Sequence, residues 1–162
     1  MPNDIRITSI KIQIDAAAIV DKTAVHRAMA NRYRDIVRAN FGFSGIDRPT
    51  PWRPLSDRYR NYLSRMGKAK PSDARRGVAT LFRTGRLFAS IRASSDSQAG
   101  HVISDGVPYN IIQQFGGFIR RAFDNKPITI PPRPYFPFYR DGRPTAYAQS
   151  EMERVAKEAA SR

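Results

Sequence analysis

The sequence has no cysteine, only two histidines and only three glutamates among its 162 residues. Without cysteine, disulfide bonds and thiol catalysis are excluded. His26 and His101 are too far apart for a His-x-x-x-His metal site, and each is expected to be a surface or interface residue. Because catalysis requires convergent titratable groups, we expect no enzymatic activity, no metal and no cofactor.

Long apolar runs are also missing. No segment approaches the roughly 18 apolar residues that a membrane-spanning helix requires. Residues 1–15 alternate apolar and polar positions and carry charges, which is not the pattern of a signal peptide. We therefore expect a soluble protein that is made in the cytoplasm and has no membrane partner.

What the sequence has in excess is arginine. Its 22 arginines and 6 lysines oppose 14 acidic residues, which gives a net charge of +14. The guanidinium group binds carboxylates and phosphates through a planar fork and stacks on aromatic rings. The expected partners are therefore nucleic acid, an anionic surface or acidic patches on other proteins.

The length suits one domain, 1–162, with enough chain for a hydrophobic core. Residues 5–14 alternate almost strictly with one change of phase, which predicts a strand with a bulge or two short strands. A long helix follows, capped by Asp15 or Asp21 and ending near Gly42. Its apolar residues recur at helical spacing: Val25, Met29, Tyr33, Ile36 and Val37.

A second helix, capped by Ser56, combines aromatic and basic residues. Its apolar stripe is predicted to be Leu55, Tyr59, Tyr62, Leu63 and Met66. The candidates for contact with DNA are on its other face and in an exposed basic loop at 67–77: Arg58, Arg60, Arg65, Lys68, Lys70, Arg75 and Arg76. Arginine interleaved with tyrosine is typical of single-strand binders. Tyrosines on the apolar stripe instead favour core packing beneath a solvated basic face.

The second half of the chain predicts a small antiparallel sheet between short helices. A helical turn capped by Thr84 precedes a strand from Ile91, a turn, and a returning strand at 101–104. A short helix then opens at Pro108 and ends at Gly116. The C-terminal helix, 145–162, is amphipathic, with its inward residues predicted as Tyr147, Met152, Val155 and Ala159. The predicted fold class is α+β, with the sheet packed against the long N-terminal helix and the shorter helices.

An extended proline-rich arm is predicted at 127–144. Five of the twelve prolines lie in IPPRPYFPFYRDGRP, residues 130–144. Each proline removes a backbone donor and pushes the preceding residue towards extended geometry, so neither a helix nor a central strand fits. The aromatic residues carry too much apolar area for a solvated loop. Docking of the arm onto its own domain or onto a second copy is favoured over a role as a polyproline ligand.

Four motifs occur in a fixed order along the chain. They are WRPLS at 52–56, LFRTGRLFASI at 81–91, YNIIQQFGG at 109–117 and IPPRPYF at 130–136. Together they resemble the virion morphogenesis, or tail-completion, family of tailed bacteriophages. Gln113 departs from the family pattern, which often has histidine there, and this favours a structural role for the motif.

The resemblance implies a structural virion subunit rather than an enzyme. It implies a ring, usually hexameric, at the head–tail junction, which completes the tail or neck so that the tail can join a DNA-filled head. The implied partners are other copies of the chain and neck or tail proteins, namely an adaptor, a stopper, a tail terminator or the tail tube. The implied location is the neck or tail of the virion, with assembly in the host cytoplasm. A nucleic-acid-binding protein without sequence specificity is the alternative, and a neck ring could itself touch genomic DNA.

The resemblance also singles out two groups of candidate residues. The structural motif comprises Trp52, Pro54, Leu55, Thr84, Gly85, Leu87, Tyr109, Gln114, Phe115 and Gly116. The candidate interface comprises Arg133, Pro134, Tyr135 and Phe136. A stiff arm loses little conformational entropy on docking, and Arg133 can form a bidentate charge pair. A strap across the chain's own core is the alternative for the same segment.

Overall fold

The computed structural model describes residues 21–42, 45–65, 81, 84–120 and 125–161, and this part of the chain has the predicted α+β fold class. Its elements are α1 (Lys22–Ala39), α2 (Asp57–Arg65), α3 (Arg86–Ala89), β1 (Ile91–Ser95), β2 (Gly100–Ser104), α4 (Asn110–Phe115), β3 (Gly117–Arg120), β4 (Pro127–Ile130) and α5 (Ala146–Ala160). The strand predicted at 5–14, the loop predicted at 67–77 and the side chains of Leu63 and Met66 lie outside the described residues.

The long helix α1 is the centre of the core. Asp21, one of the two predicted caps, accepts a hydrogen bond from the Ala24 amide at 2.9 Å. All five predicted apolar residues of α1 are buried, which confirms its inward face. The helix ends at Ala39 with Asn40 as its C-cap, and the Gly42 amide still bonds to the Ala39 carbonyl at 3.0 Å.

One hairpin and the C-terminal helix pack against α1. β1 and β2 pair antiparallel, from Ile91↔Ser104 to Ser95↔Gly100, as the sequence predicts. Gly100 permits the close approach to α1, because a Cβ there would lie 2.6 Å from the His26 carbonyl oxygen. On the other side, Arg32 Nε of α1 donates to Glu151 Oε2 of α5 at 2.8 Å.

The inward face of α5 differs in part from the prediction. Met152 is buried as predicted, but Tyr147 is 40% exposed, and the buried positions beside Met152 are Ala148 and Ala156. Two small side chains on one face let the helix lie close to α1, and a tyrosine would not fit in that seam. The prediction for Tyr147 is therefore wrong.

A second hairpin, formed by β3 and β4, is absent from the sequence-based expectations. It pairs Gly117 with Ile130 and Arg120 with Pro127. The segment predicted as an arm at 127–144 thus begins as a strand. A proline is tolerated there because it is the first residue of the strand, where a missing N–H costs little.

Candidate functional site

Residues 133–138, called the strap below, cross the core outside every helix and named strand. All six residues are buried, and Tyr135 and Phe136 are 0% and 1% exposed. Pro134 and Pro137 have no N–H, so the strap cannot form a regular ladder. Its remaining backbone groups need other partners, because an unpaired N–H or C=O is costly in a core.

Gln114 supplies the central partners. Its Oε1 accepts hydrogen bonds from the amides of Tyr135 at 3.0 Å and Phe136 at 3.1 Å. Its Nε2 donates to the Phe136 carbonyl at 3.3 Å. The side chain is only 2% exposed, so one primary amide replaces a neighbouring strand for two successive residues of the strap.

The end of α4 fixes Gln114 in place. The Gln113 carbonyl accepts a hydrogen bond from the Arg133 amide at 2.7 Å, two residues before the first strap residue that Gln114 contacts. Gly116 then turns the chain at a φ of 72°, and a Cβ there would lie 2.9 Å from the Ile130 carbonyl oxygen. The motifs YNIIQQFGG and IPPRPYF are therefore two sides of one contact.

Trp52 holds the strap from a second direction. Its Nε1 donates to the Pro134 carbonyl at 2.7 Å, and its ring packs edge-on against Phe41 with the centroids 6.2 Å apart. The Arg48 guanidinium lies 3.7 Å from the centroid of the Trp52 ring, a distance suited to a cation–π contact. Burial lowers the pKa of Arg48, whose Nε donates to the Asn40 carbonyl at 2.9 Å.

Asn40, which ends α1, is a functional residue that the sequence-based expectations missed. Its Nδ2 donates to the Tyr135 carbonyl at 3.0 Å and to the Asp47 carbonyl at 2.6 Å. Its Oδ1 accepts from the amides of Ile46 at 3.1 Å and Asp47 at 2.8 Å. A helix-terminal asparagine indicates a cap, but no pattern in the sequence connects it to a strap 95 residues away.

The far end of the strap leads into α5 through Thr145. The Thr145 amide donates to the Pro137 carbonyl at 2.9 Å, and its hydroxyl donates to Asp47 Oδ2. Burial raises the pKa of Asp47, although the Thr145 hydrogen bond acts in the opposite direction. The loop after α1 and the cap of α5 are thereby joined at the strap.

Arg133 is the only charged residue of the strap. It is 7% exposed, and its buried Nε has no hydrogen-bond partner among the described residues. Burial lowers its pKa, which is opposed by the nearby phenol of Tyr59. Gln113 Oε1, on the neighbouring turn of α4, is a buried acceptor that also has no partner among the described residues.

These positions bear on the candidate interface. Arg133, Pro134, Tyr135 and Phe136 are all buried within their own chain, so the structure favours the internal strap over an arm that reaches another subunit. The aromatic rings of Tyr135 and Phe136 lie 5.1 Å apart and belong to the core. Burial raises the pKa of Tyr135 to about 12.

The remaining residues of the structural motif pack in the core, form turns or lie at the surface. Leu55 and Leu87 are buried, and Phe115 packs its ring 6.1 Å from that of Phe138. Gly85 has a φ of 71° at the start of α3, as a tight turn requires. The capping contact of Thr84 is long, with its Oγ1 3.4 Å from the Arg86 amide. The exposed members of the motif are Pro54, Thr84 and Tyr109.

The tyrosines of α2 are not in the core, against the prediction. Tyr59 and Tyr62 are both exposed and stack on each other, with centroids 6.1 Å apart and 20° between the planes. The described residues place no cover over these two tyrosines. Arg58 and Arg65 are exposed, and Arg60 is paired with Asp57. The other basic candidates, Lys68, Lys70, Arg75 and Arg76, lie outside the described residues.

Both histidines meet the same turn of the β1–β2 hairpin. His26 is buried within its own chain, with Nδ1 3.0 Å from the Asp96 carbonyl oxygen, so the expectation of a surface or interface residue is wrong for it. His101 Nε2 lies 3.5 Å from Asp96 Oδ2. Across the described ranges, no group of three histidine or acidic side chains is placed to hold a metal ion.

Among the described residues, the β3–β4 hairpin carries the large apolar side chain with the highest exposed fraction. Phe118 is 75% exposed, and Ile119 and Ile128, which pair across the two strands, are also exposed. Arg120 and Lys126 add positive charge towards its tip. An exposed apolar surface with a basic rim is typical of a protein interaction site.

The comparisons with known proteins agree with this picture. The sequence model of the phage virion morphogenesis family matches residues 8–148, which is most of the chain. Neither the curated proteins nor the solved structures provide a match. Within the described residues, no helix has both the length and the hydropathy needed to cross a bilayer.

Proposed function

We propose, from the premise that this chain belongs to the phage virion morphogenesis family, that it is a structural subunit of the neck or tail of a phage particle. It would form a ring, hexameric in the simplest case, at the head–tail junction and complete the tail for joining to a filled head. The family match over residues 8–148 is the observation that carries this proposal. Its partners would be other copies and an adaptor, stopper, tail terminator or tube protein.

The surface of the fold supports an assembly role. The β3–β4 hairpin exposes Phe118 and two isoleucines, and a two-stranded ribbon is only marginally stable when it stands alone in water. Burial of this hairpin against a neighbouring subunit would remove the apolar surface from water and extend its ladder by strand addition. The net charge of +14 suits a position close to DNA or against acidic partner proteins.

The test is a deletion of the gene in its phage, with the wild-type gene returned on a plasmid. We expect filled heads and tails that do not join, or tails that remain unfinished, in electron micrographs of the deletion lysate. The plasmid copy should restore joined particles. Infectious particles of normal number and shape without the gene would refute the structural role.

A second candidate, binding of single-stranded nucleic acid, rests on the exposed tyrosine pair. Arg58 and Arg65 lie four and three residues from Tyr62 and therefore share its side of α2. An aromatic platform flanked by arginines offers stacking and phosphate contacts to a strand.

Fluorescence anisotropy of a labelled single-stranded oligonucleotide tests this candidate. Replacement of Tyr62 by Ala should weaken binding by about 1 to 3 kcal/mol if a base stacks there. Tyr147→Ala is the matched control, because Tyr147 is an exposed tyrosine on a different helix. Affinity that depends only on salt, with equal values for both variants, would leave simple charge attraction as the explanation.

A further inference from the structure

The β3–β4 hairpin has apolar side chains on both of its faces. Successive residues of a strand point to opposite faces, and directly paired residues share one face. Ile119 and Ile128 are paired and therefore share a face, and Phe118 lies on the other. Their exposed fractions are 75% for Phe118, 43% for Ile119 and 37% for Ile128. An antiparallel ribbon that packs only on its own domain needs one apolar face, whereas this ribbon has two.

The isoleucine face is in contact with the body of the protein at its base. There, a Cβ on Gly117 would lie 3.2 Å from Ile112 Cγ1 of α4, and the paired residue Ile130 is half-buried. Two residues further along each strand, at Ile119 and Ile128, the side chains of the same face are exposed. The outer part of the hairpin therefore projects beyond α4 with apolar side chains exposed on both faces.

The charge of the hairpin indicates the kind of partner. Residues 117–130 contain three basic residues against one acidic residue, a net charge of +2. Arg120 is exposed on the Phe118 face, and its Nη1 donates to the Asn125 carbonyl at 3.4 Å, which holds this cation at the tip. A second copy brings a net charge of +14, and the apolar segment 5–14 of the chain has two basic residues and no acidic one. Charge complementarity therefore favours an acidic protein other than this chain.

We propose that the β3–β4 hairpin inserts into an apolar cleft with an acidic rim on a different virion protein. One wall of the cleft covers Phe118, the opposite wall covers Ile119 and Ile128, and carboxylates at the rim pair with Arg120. A flat surface would bury one face of the ribbon and leave the other in water, so a cleft removes more apolar area from solvent. This inference rests on the proposed structural role, and it assigns the hairpin to the contact with another neck or tail protein rather than to the contact between copies.

Photocrosslinking in assembled particles tests the cleft. The full chain, with Phe118, Ile119 or Tyr139 replaced by p-benzoyl-phenylalanine, is supplied from a plasmid to the deletion phage. Purified particles are irradiated, and the crosslinked peptides are identified by mass spectrometry. Tyr139 is the control, because its exposed fraction of 44% matches the 43% of Ile119 and it lies outside the hairpin.

We expect positions 118 and 119 to crosslink to the same protein, which is not this chain, and position 139 not to crosslink to it. Crosslinks from only one of the two hairpin positions would indicate a flat contact and overturn the cleft. An adduct of twice the 18.3 kDa of the chain would identify a second copy, and a crosslink within one chain would identify its own segment as the cover. An adduct that nuclease removes would identify DNA. Each of these three products would overturn the proposed partner.

Charge reversal tests the acidic rim. Purified Arg120→Glu and its control Arg140→Glu, which reverses an exposed charge outside the hairpin, are melted by circular dichroism and titrated into an extract of cells infected with the deletion phage. We expect similar melting temperatures. The half-maximal concentration for joined particles should be at least about 10-fold higher for Arg120→Glu, because like charges that meet across an interface are strongly unfavourable.

The remaining outcomes separate this inference from the proposed function. Equal half-maximal concentrations for the two charge reversals would overturn the acidic rim, and a lower melting temperature for Arg120→Glu alone would give Arg120 a role in folding instead. Normal particles without any crosslink from positions 118 and 119 would overturn the cleft and leave the structural role in place. Failure of the wild-type protein to restore particles would refute the proposed function itself.

Discussion

The strap and the β3–β4 hairpin are neighbours along the chain, and both are rich in large apolar residues. All residues of the strap are buried, whereas the hairpin exposes several of its apolar side chains. Tyr135 and Phe136 are fully enclosed, while Phe118 is 75% exposed. The difference lies in the backbone. The hairpin satisfies its own N–H and C=O groups in a ladder, from Gly117↔Ile130 to Arg120↔Pro127.

The strap cannot do this, because prolines interrupt it. Its polar groups are satisfied one by one by Trp52, Gln114 and Asn40, which lie on three separate segments. A segment whose backbone depends on hydrogen bonds from several other segments is ordered only where those segments surround it, so it lies in the core. A segment with its own ladder can project into solvent and remain available to a partner.

The largest expected effect is on the central contact of the strap. Gln114→Leu keeps the approximate volume and leaves the amides of Tyr135 and Phe136 unsatisfied, whereas the Phe136 carbonyl still accepts from the Phe138 amide. Since each buried unsatisfied group costs about 1 to 3 kcal/mol, we expect the two amides together to lower the free energy of unfolding by about 2 to 6 kcal/mol. Urea denaturation measures this loss.

Gln113→Leu is the control for Gln114→Leu. Gln113 is adjacent, half-buried and bonded to the strap only through its main chain, so its side chain should contribute little to stability. Equal losses for the two variants would mean that the general packing of α4, and not the amide, holds the strap.

A somewhat smaller loss is expected at the end of α1. Asn40→Ala removes two donated and two accepted hydrogen bonds at a residue with 0% exposure. We expect a decrease of about 2 to 4 kcal/mol in unfolding free energy, because the loop at 46–47 can turn some of its amides to water. Asn31→Ala, on the same helix, should change stability little. An Asn40→Ala protein as stable as the Asn31→Ala protein would contradict the role given to Asn40.

Residues that define these contacts differ in how well the sequence reveals them. Trp52 and Gln114 are recognisable from the motifs, but their partners are backbone groups of the strap, and a backbone acceptor leaves no residue type to detect. The α1 stripe was predictable because five apolar residues share one helical face. Tyr59 and Tyr62 share a face too, and periodicity cannot say whether anything covers it. The prolines predicted an irregular segment, which the strap is, but they also argued against the strand that the structure has at Pro127–Ile130.

A more modest loss of stability is expected at acidic pH, where the contact between α5 and α1 should weaken. Arg154 and Arg32 lower the pKa of Glu151 to about 2, and this carboxylate ties α5, which continues from the strap, to α1. The stabilisation is complete above the ordinary glutamate pKa of about 4.3 and is lost as the pH falls towards 2. The described residues of the hairpin, 117–120 and 125–130, contain no carboxylate.

Glu151→Gln makes that expectation measurable. The melting temperature of the wild type should fall more steeply between about pH 5 and pH 2 than that of the variant, and the two should converge at the acid end. Glu153→Gln is the control, because Glu153 is exposed on the same helix and, among the described residues, its carboxylate bonds to the neutral Gln149. Parallel curves for wild type and Glu151→Gln would show that this ion pair does not stabilise the fold.

The smallest effect on folding is expected at the hairpin, where Phe118→Ser changes a side chain that is already in water. Its unfolding free energy should stay within about 0.5 kcal/mol of the wild type, as for most surface substitutions. Particle formation in the deletion extract should nevertheless decline, because an aromatic anchor of an interface is lost. Thr129→Ser, at the position paired with Phe118, is the matched control and should leave both measurements unchanged. If Phe118→Ser instead unfolded the protein, the hairpin would be part of the core of the subunit, and the contrast with the strap would not hold.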